Sequence, residues 1–413
     1  MPVMANEPAD RSEAVASAVA FLKRELPAGW RGVGALDEHE REEFLVTWRK
    51  KLVDAHLLGL SWPTEYGGAG MSLADQSEVQ RLFAQVGAPL LPAPSDPNGF
   101  ALLGPTIMAI GTEEQKRYFL PRILTGEHRW AQGYSEPDAG SDLFALRTKA
   151  ELDGNEWVID GQKVWTSHGH HANWLFALVR TDPKAPKAKG LSFLLLPIEQ
   201  SGVLVRTIRT MTGDNEFSEV FLDGARTDAA NILGKPGDGA KVALSLLGFE
   251  RSTAAAAKYV GYDIEFRRLC RLAAEHGLVD DPTIRRELAR CYTKIEIMGE
   301  LGRASIASAV RGEQPGAESS ILKMYESHYH QMSTELAMRI LGAEGILRQG
   351  PLGLGGMSAE PLGAPNSTYA WQDQFMMARA KTIYGGSAQI QRSTIGERIL
   401  GLPREPRATG GGE

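Results

Sequence analysis

Residues 381–392 read KTIYGGSAQIQR. Gly385 and Gly386 stand between helix-forming runs, and with no Cβ on either residue the backbone there can come very close to another molecule. Ser387, Ala388 and Gln389 can then open a helix whose free N–H groups and hydroxyl face the same spot. This loop holds no acid, no base and no nucleophile stronger than Ser387, so proton transfer beside it needs a residue from elsewhere in the chain. Two other stretches set hydroxyls beside an aromatic or a glycine: WAQGYSEPDAGSDL at 130–143 and GQKVWTSHG at 161–169. Such a pair could hold a flat, polar redox ring. Ser135, Thr166 and Ser167 would meet its edge, Trp165 would cover a face, and Gly133 and Gly140 would admit the backbone. The same residues also read as two strand-end turns capped by Ser and Asp, with Trp165 inside a β core.

Other signals fail. GKPGDGAKV at 234–242 has glycines at P-loop spacing but no Lys-Ser/Thr after the second. GLGGMS and GAGMSL are not dinucleotide fingerprints following a strand. His168, His170 and His171 have no carboxylate or cysteine near enough in sequence to complete a metal set, and a polar turn is the ordinary reading; no metal is expected. The 413 residues carry a net charge of −6 with 23% charged and 43% hydrophobic residues. That balance suits a soluble globular protein and argues against a nucleic-acid or anionic-membrane surface. No run of about 18 apolar residues is present to span a bilayer. The N-terminal MPVMANEPADRSEAV lacks the features of a secretory signal. Two cysteines, Cys270 and Cys291, exclude a disulfide framework and suit a reducing, cytoplasmic setting.

Three textures follow one another along the chain. Residues 1–128 show helical periodicity: Val15, Val19, Leu22 and Leu26 share a face, as do Phe44, Trp48 and Leu52. Ser72 with Asp75, and Thr112 with Gln115, have capping-box spacing. Residues 129–238 hold short apolar runs split by Gly, Pro and Lys, including two strands around Asp153-Gly154, and suggest a small antiparallel barrel or sandwich. Helical periodicity returns over 239–405. Asp281-Pro282 forms an N-cap before the stripe Ile284, Leu288, Cys291, Ile295 and Met298. The long helices imply a bundle, and residues 406–413 a flexible tail.

Taken together and in order, WPTEYGG, GTEEQKRYFLPRILTGE, GYSEPDAGSDL, GQKVWTS and IYGGSAQIQRSTIGERILGLPR resemble the acyl-CoA dehydrogenase family over nearly the whole chain. The resemblance implies an α+β fold: an N-terminal helical domain, a central antiparallel β-barrel domain and a C-terminal four-helix bundle. It implies FAD, lying between the β domain and the bundle, and tetramers. It places flavin contacts at Gln132, Tyr134, Ser135, Trp165, Thr166, Ser167, Ser387, Ala388 and Gln389. Ser141 matches a position touching both cofactor and the pantetheine arm of acyl-CoA, and Gly386 faces the thioester. Glu136 is read as structural.

The family removes a Cα proton and a Cβ hydride from a saturated acyl-CoA, giving the trans-2-enoyl thioester. A ribityl hydroxyl and a backbone N–H polarise the carbonyl, and Gly385 keeps that N–H. Many members carry the catalytic Glu where Gly385 stands. A second location is a bundle-helix Glu before an Arg, used by some members acting on branched or bulky chains, including steroid side-chain dehydrogenases. Here that pair is Glu250-Arg251, in LSLLGFERSTAAAA, with Glu250 as base and Arg251 in support. Leu246, Leu247 and Phe249 around Glu250 favour burial, which raises a carboxyl pKa toward a useful range for a base.

Two departures fall at the adenosine end of the FAD site. The family's Arg-x-x-Phe-Gly is missing after the first bundle helix, and Arg339 replaces a Gln. Arg267, Arg268 or Arg339 are candidate substitutes for the pyrophosphate contact. Similar erosion occurs in α2β2 relatives, so a homotetramer and an α2β2 assembly both stay open. The expected activity is dehydrogenation of a branched or bulky acyl-CoA in fatty acid or steroid side-chain catabolism, with electron-transfer flavoprotein as acceptor. The alternatives are a non-catalytic or FAD-sharing subunit of an α2β2 acyl-CoA dehydrogenase, or an oxidase or monooxygenase on the same fold.

Overall fold

The computed structural model describes residues 12–252, 255–311, 317–350 and 366–404. They form two compact units, one running up to Gly261 and the other starting at Tyr262.

In the first unit five helices come first: α1 (Glu13–Glu25), α2 (Glu38–Asp54), α3 (Leu73–Gln85), α4 (Gly104–Ile110) and α5 (Glu113–Thr125). Their starts follow local chemistry. Ser72 accepts from the Asp75 N–H, and Thr112 and Gln115 complete a reciprocal capping box. Asp37 and Glu40 make another at α2, which the sequence reading did not single out. The apolar faces of α1 and α2 meet as expected, with Val15, Val19, Leu22, Trp48 and Leu52 all buried.

The strands are β1 (Trp130–Gly133), β2 (Lys149–Asp153), β3 (Glu156–Ser167), β4 (Trp174–Arg180), β5 (Leu191–Pro197), β6 (Val203–Ile208) and β7 (Phe217–Asp228). Gly154 takes a left-handed φ of 63° in the β2–β3 turn, as its Asp-Gly sequence requires. The sheet runs β1-β4-β2-β3-β7-β6, with β5 also on β4. It is mixed, not wholly antiparallel, because β1 pairs with β4 in parallel register, Trp130 opposite Trp174. Strands β4 and β5 are buried on both faces, hence their near-continuous apolar sequences. Phe176, Leu178, Phe193 and Leu195 share a core with the N-terminal helices, while Leu175, Ala177, Leu194 and Leu196 line another. Helix α6 (Gly239–Ser252) packs on β5 and α4, contributing Val242, Ala243 and Leu246 to the first of these cores.

The second unit holds α7 (Ala255–Glu275) from Tyr262 onward, α8 (Pro282–Val310), α9 (Ala317–Leu341), α10 (Thr368–Ala380) and the short α11 (Ala388–Ser393). Asp281 accepts from the N–H groups of Thr283 and Ile284 to start α8. Helices α8 and α10 both pack on α9. A buried polar link joins α7 to α9: His330 Nε2 lies 3.1 Å from Glu265 Oε2, and Ser333 donates to Glu265 Oε1 at 3.0 Å. Burial pushes the Glu265 carboxyl up, yet His330 and Ser333 outweigh it and the group sits below the ordinary carboxylate range.

Candidate active site

The two hydroxyl-bearing motifs meet in the first unit, and a buried ion pair joins them. Lys163, on β3, is fully buried, and its Nζ donates to Glu136 Oε1 (2.8 Å), Leu178 O (2.7 Å) and Tyr134 O (3.3 Å). Glu136 also accepts from the N–H groups of Arg147 (2.6 Å) and Thr148 (2.9 Å). Burial lowers the Lys163 ammonium to about 8. Burial pushes Glu136 the other way, but Lys163 and the two N–H groups hold its carboxyl below the ordinary range. The pair is ionised and each partner is hydrogen-bonded, the condition under which a buried charge is tolerated. The Val164 N–H donates to Ser135 O at 2.9 Å and completes the junction.

Immediately beyond Lys163 the β3–β7 register shifts, between Lys163 and Thr166. Trp165 takes a left-handed φ of 59°, rare for a bulky residue, and His168 a φ of 55°. The bulge turns the indole out of the sheet. Trp165 is 60% exposed, edge-on to Phe217, so the reading that put it in a β core is overturned. Thr166 turns inward instead, and its hydroxyl is enclosed opposite Ser218, away from the surface that Trp165 and Ser167 share. Ser135 and Ser167 are partly exposed, as is Gln132 on β1. The Tyr134 ring packs edge-on against Phe176 and Phe193 in the core, and its carbonyl accepts from the buried Lys163.

The motif glycines have different jobs. A Cβ on Gly133 would stand 2.9 Å from Leu175 Cδ2, so that glycine serves strand packing; one on Gly140 would meet nothing within 4 Å. Ser141 is exposed on a loop whose following turn, Leu143–Ala145, is pinned by Arg180, which donates to the carbonyls of Phe144 and Leu146.

This surface fits a flavin. Trp165 is exposed, Ser135, Ser167 and Gln132 are partly exposed, and Ser135 is joined to β3 through the Val164 N–H. Those are the groups a polar aromatic ring would use.

In the second unit the diglycine turn has the predicted form. Gly385 and Gly386 take φ of 63° and 86°, and Ser387 caps α11 by accepting from the Ile390 N–H at 3.3 Å. Ala388 is buried and Gln389 exposed. A Cβ on Gly386 would lie 2.5 Å from Gln391 Nε2, whereas one on Gly385 would meet only Lys323 Cε at 3.8 Å. The space beside Gly385 is open.

Glu250 falls in α6, one turn after Leu246, on the helical line of Ala243 and Leu246. The side chains of Glu250 and Arg251 lie outside the described residues. Among the candidate substitutes at the adenosine end, Arg268 is almost fully buried within the chain. Arg267 pairs with Asp263 at 2.8 Å, and Arg339 is exposed in the last turn of α9. Among the described residues no His/Cys/Asp/Glu group could hold a metal, and no helix is long and apolar enough to cross a membrane. Sequence reasoning missed Lys163. It lay inside a quoted motif, and its inward position on β3 beside the acid of the other motif was the signal.

Three family models match in order: the acyl-CoA dehydrogenase N-terminal domain over residues 8–127, the middle domain over 131–225 and the C-terminal domain over 237–400. The acyl-CoA dehydrogenase IpdE1 of Mycobacterium tuberculosis is 41% identical over 384 residues, covering 92% of this chain and 94% of the relative. A solved steroid ACAD, Tcur3481-Tcur3483, superposes with a TM-score of 0.78 at 32% identity, covering 97% and 99% of the two chains. The ChsE4-ChsE5 complex from Mycobacterium tuberculosis gives a TM-score of 0.74 at 29% identity, covering 97% and 100%. The chain belongs to the acyl-CoA dehydrogenase family, oxidoreductases that act on acyl-CoA thioesters.

Proposed function

We propose that this chain is a FAD-dependent dehydrogenase that converts a bulky or branched acyl-CoA to its trans-2-enoyl thioester. The observation that carries the reading is the Glu136–Lys163 pair, which joins the motif of Ser135 to the strand that carries the exposed Trp165 and the partly exposed Ser167. Gln132, the main chain of Tyr134, Ser135, Trp165 and Ser167 would hold the flavin, with Ser387, Ala388 and Gln389 supplying further contacts and Ser141 reaching toward the pantetheine arm. FAD, when bound, supplies the acceptor for the Cβ hydride.

The chain's own part is proton transfer and carbonyl polarisation. Glu250 takes the Cα proton, which demands a carboxylate shielded from water; Leu246, one turn earlier on α6, is fully buried. Arg251 supports the carboxylate. The Gly385 N–H donates to the thioester oxygen as charge develops there. The absent side chain at Gly385 leaves open space where other members carry their base, room that a branched or ring-bearing acyl group requires. The similarity to a structure described as a steroid ACAD points the same way. An electron-transfer flavoprotein would serve as the electron-accepting partner.

A second reading has a specific observation behind it. The adenosine-end motifs are eroded, Arg268 is buried, and the ChsE4-ChsE5 relative is a complex of two named chains. An α2β2 assembly in which a second chain completes the FAD site accounts for all three. The test is to purify the chain alone, measure flavin per subunit, and mix it anaerobically with linear, α-branched and steroid side-chain acyl-CoA thioesters. Bleaching of the yellow chain by the bulky thioesters supports the first reading. A colourless chain that gains flavin and bleaches only with a second subunit supports the α2β2 form. A flavin-loaded protein that no acyl-CoA bleaches contradicts both.

A further inference from the structure

The diglycine turn is held from one face of α9, and two residues there contact the same atom. The Lys381 carbonyl, at the end of α10, accepts from Lys323 Nζ at 2.7 Å and from Ser327 Oγ at 2.9 Å. Ser327 is buried, and its single hydroxyl proton is shared with the Lys323 carbonyl at 2.8 Å. One helical turn further on, Gln331 donates to Thr382 Oγ1 at 3.3 Å. The Lys381 ammonium lies over the Tyr262 ring, 5.6 Å from its centroid, and the Tyr262 hydroxyl donates to Glu326 Oε1 at 2.7 Å. Positions 323, 326, 327 and 331 follow i, i+3, i+4 spacing, so one stripe of α9 grips the residues that enter the turn.

The exit is fixed as well. The Ala388 N–H donates to Thr382 O at 3.0 Å, and Gln391 Nε2 to Gly385 O at 3.3 Å. Between these anchors, the Gly385 and Gly386 N–H groups donate to no described residue. An exposed pair of backbone donors held from both sides is pre-organised for an oxygen that gains negative charge, and such donors work only when their positions are fixed in advance. Displacement by about 1 Å at such a site costs on the order of a hundredfold in rate.

We propose that Lys323 and Ser327 are positioning residues: by clamping the Lys381 carbonyl they fix the Gly385 N–H where a thioester oxygen is bound. The proposal rests on the reading of Gly385 as the oxyanion donor. Both residues act through the main chain of residues 381–385; Ser327 is buried, while Lys323 Cε also borders the space beside Gly385. Ser327 carries no charge, so its effect separates positioning from the field of the Lys323 ammonium.

The probe is acetoacetyl-CoA, a 3-oxoacyl thioester that loses its acidic Cα proton to give an enolate, with the charge spread onto the oxygens. Its enolisation midpoint, read from ultraviolet absorbance against pH, reports oxyanion stabilisation without turnover. Flavin-loaded wild type, Ser327→Ala, Lys323→Met and Lys323→Arg are compared, with hydrogen exchange followed over residues 383–387. Wild type is expected to lower the bound midpoint below that of the free thioester. Ser327→Ala and Lys323→Met should reverse that shift by about tenfold or more in equilibrium constant. They should also speed exchange in the turn several-fold while α8 is unchanged, and Lys323→Arg should recover part of both effects. If wild type shifts the midpoint and Ser327→Ala and Lys323→Met match it, with exchange unaltered, the positioning role is overturned. If wild type itself leaves the midpoint at the free value, the assignment of Gly385 fails, and this inference fails with it.

Discussion

At the diglycine turn the two glycines differ in what surrounds them. Gly386 combines a φ of 86° with Gln391 Nε2 at 2.5 Å from where a Cβ would be, while Gly385 has a φ of 63° and open space. Gly386→Ala should therefore displace Gln391, loosen the Gly385 carbonyl it holds and lower kcat/KM by about tenfold or more. Steady-state kinetics with flavin content as control will show it. At Gly385 a longer side chain pays mainly the left-handed backbone cost of about 1–2 kcal/mol. Glu250→Gln/Gly385→Glu should then regain measurable dehydrogenation over Glu250→Gln alone, preferentially with linear acyl-CoA, because the new carboxylate fills the space left for bulk. Lys323, 3.8 Å from the added Cβ, will favour the ionised form of that acid. Trp165 shows where residue-level reading stops. A Trp in an apolar strand suits a core and a ring-covering lid equally, and the left-handed bulge that turns it outward has no Gly or Asn to announce it.

The wall of the site is an assembly of elements, and the Glu136–Lys163 pair holds it. Lys163→Met would leave the Glu136 carboxylate buried with only two backbone donors, a change that costs about 3–5 kcal/mol. Thermal unfolding should show a lower midpoint and the flavin should be lost first. The pH dependence has a definite sign. Because the folded state holds the Glu136 carboxyl below its ordinary value, its contribution is complete at neutral pH. It fades as pH falls below about 4, where the unfolded chain takes up the proton first. Glu136→Gln should thus be less stable than wild type at pH 7, with the gap narrowing toward pH 3 in a series of melting curves. Element identity was legible where local chemistry sufficed: the Thr112 cap, the Asp153-Gly154 turn and the Asp281-Pro282 start all lie where the sequence puts them. The parallel β1–β4 pairing was not, since register between strands over 40 residues apart is set by the packed sheet and not by either strand's own pattern.

Across the whole molecule, five short motifs spread through the chain identified the family, because their order constrains the fold far more than any one of them does. The three matched segments cover residues 8–127, 131–225 and 237–400. The division into compact units falls elsewhere, at Gly261/Tyr262, because α6 buries Val242, Ala243 and Leu246 with the sheet and N-terminal helices. Periodicity marks a helix without saying which core takes its face. Assembly belongs to this scale too. Ile383, 71% exposed, and Leu400 and Leu402 leave an apolar C-terminal segment uncovered within the chain. Sedimentation should find a tetramer, either of this chain alone or with an unlike subunit, and flavin per chain should reach its full value only in that form.

The most direct test of the whole account is anaerobic reduction of the flavin-loaded Glu250→Gln variant by an acyl-CoA that bleaches the wild type. Glu250→Gln should keep full flavin content and lose bleaching by several orders of magnitude, with Gly385→Ala milder. Bleaching of Glu250→Gln at the wild-type rate would place the proton acceptor elsewhere and contradict the mechanism.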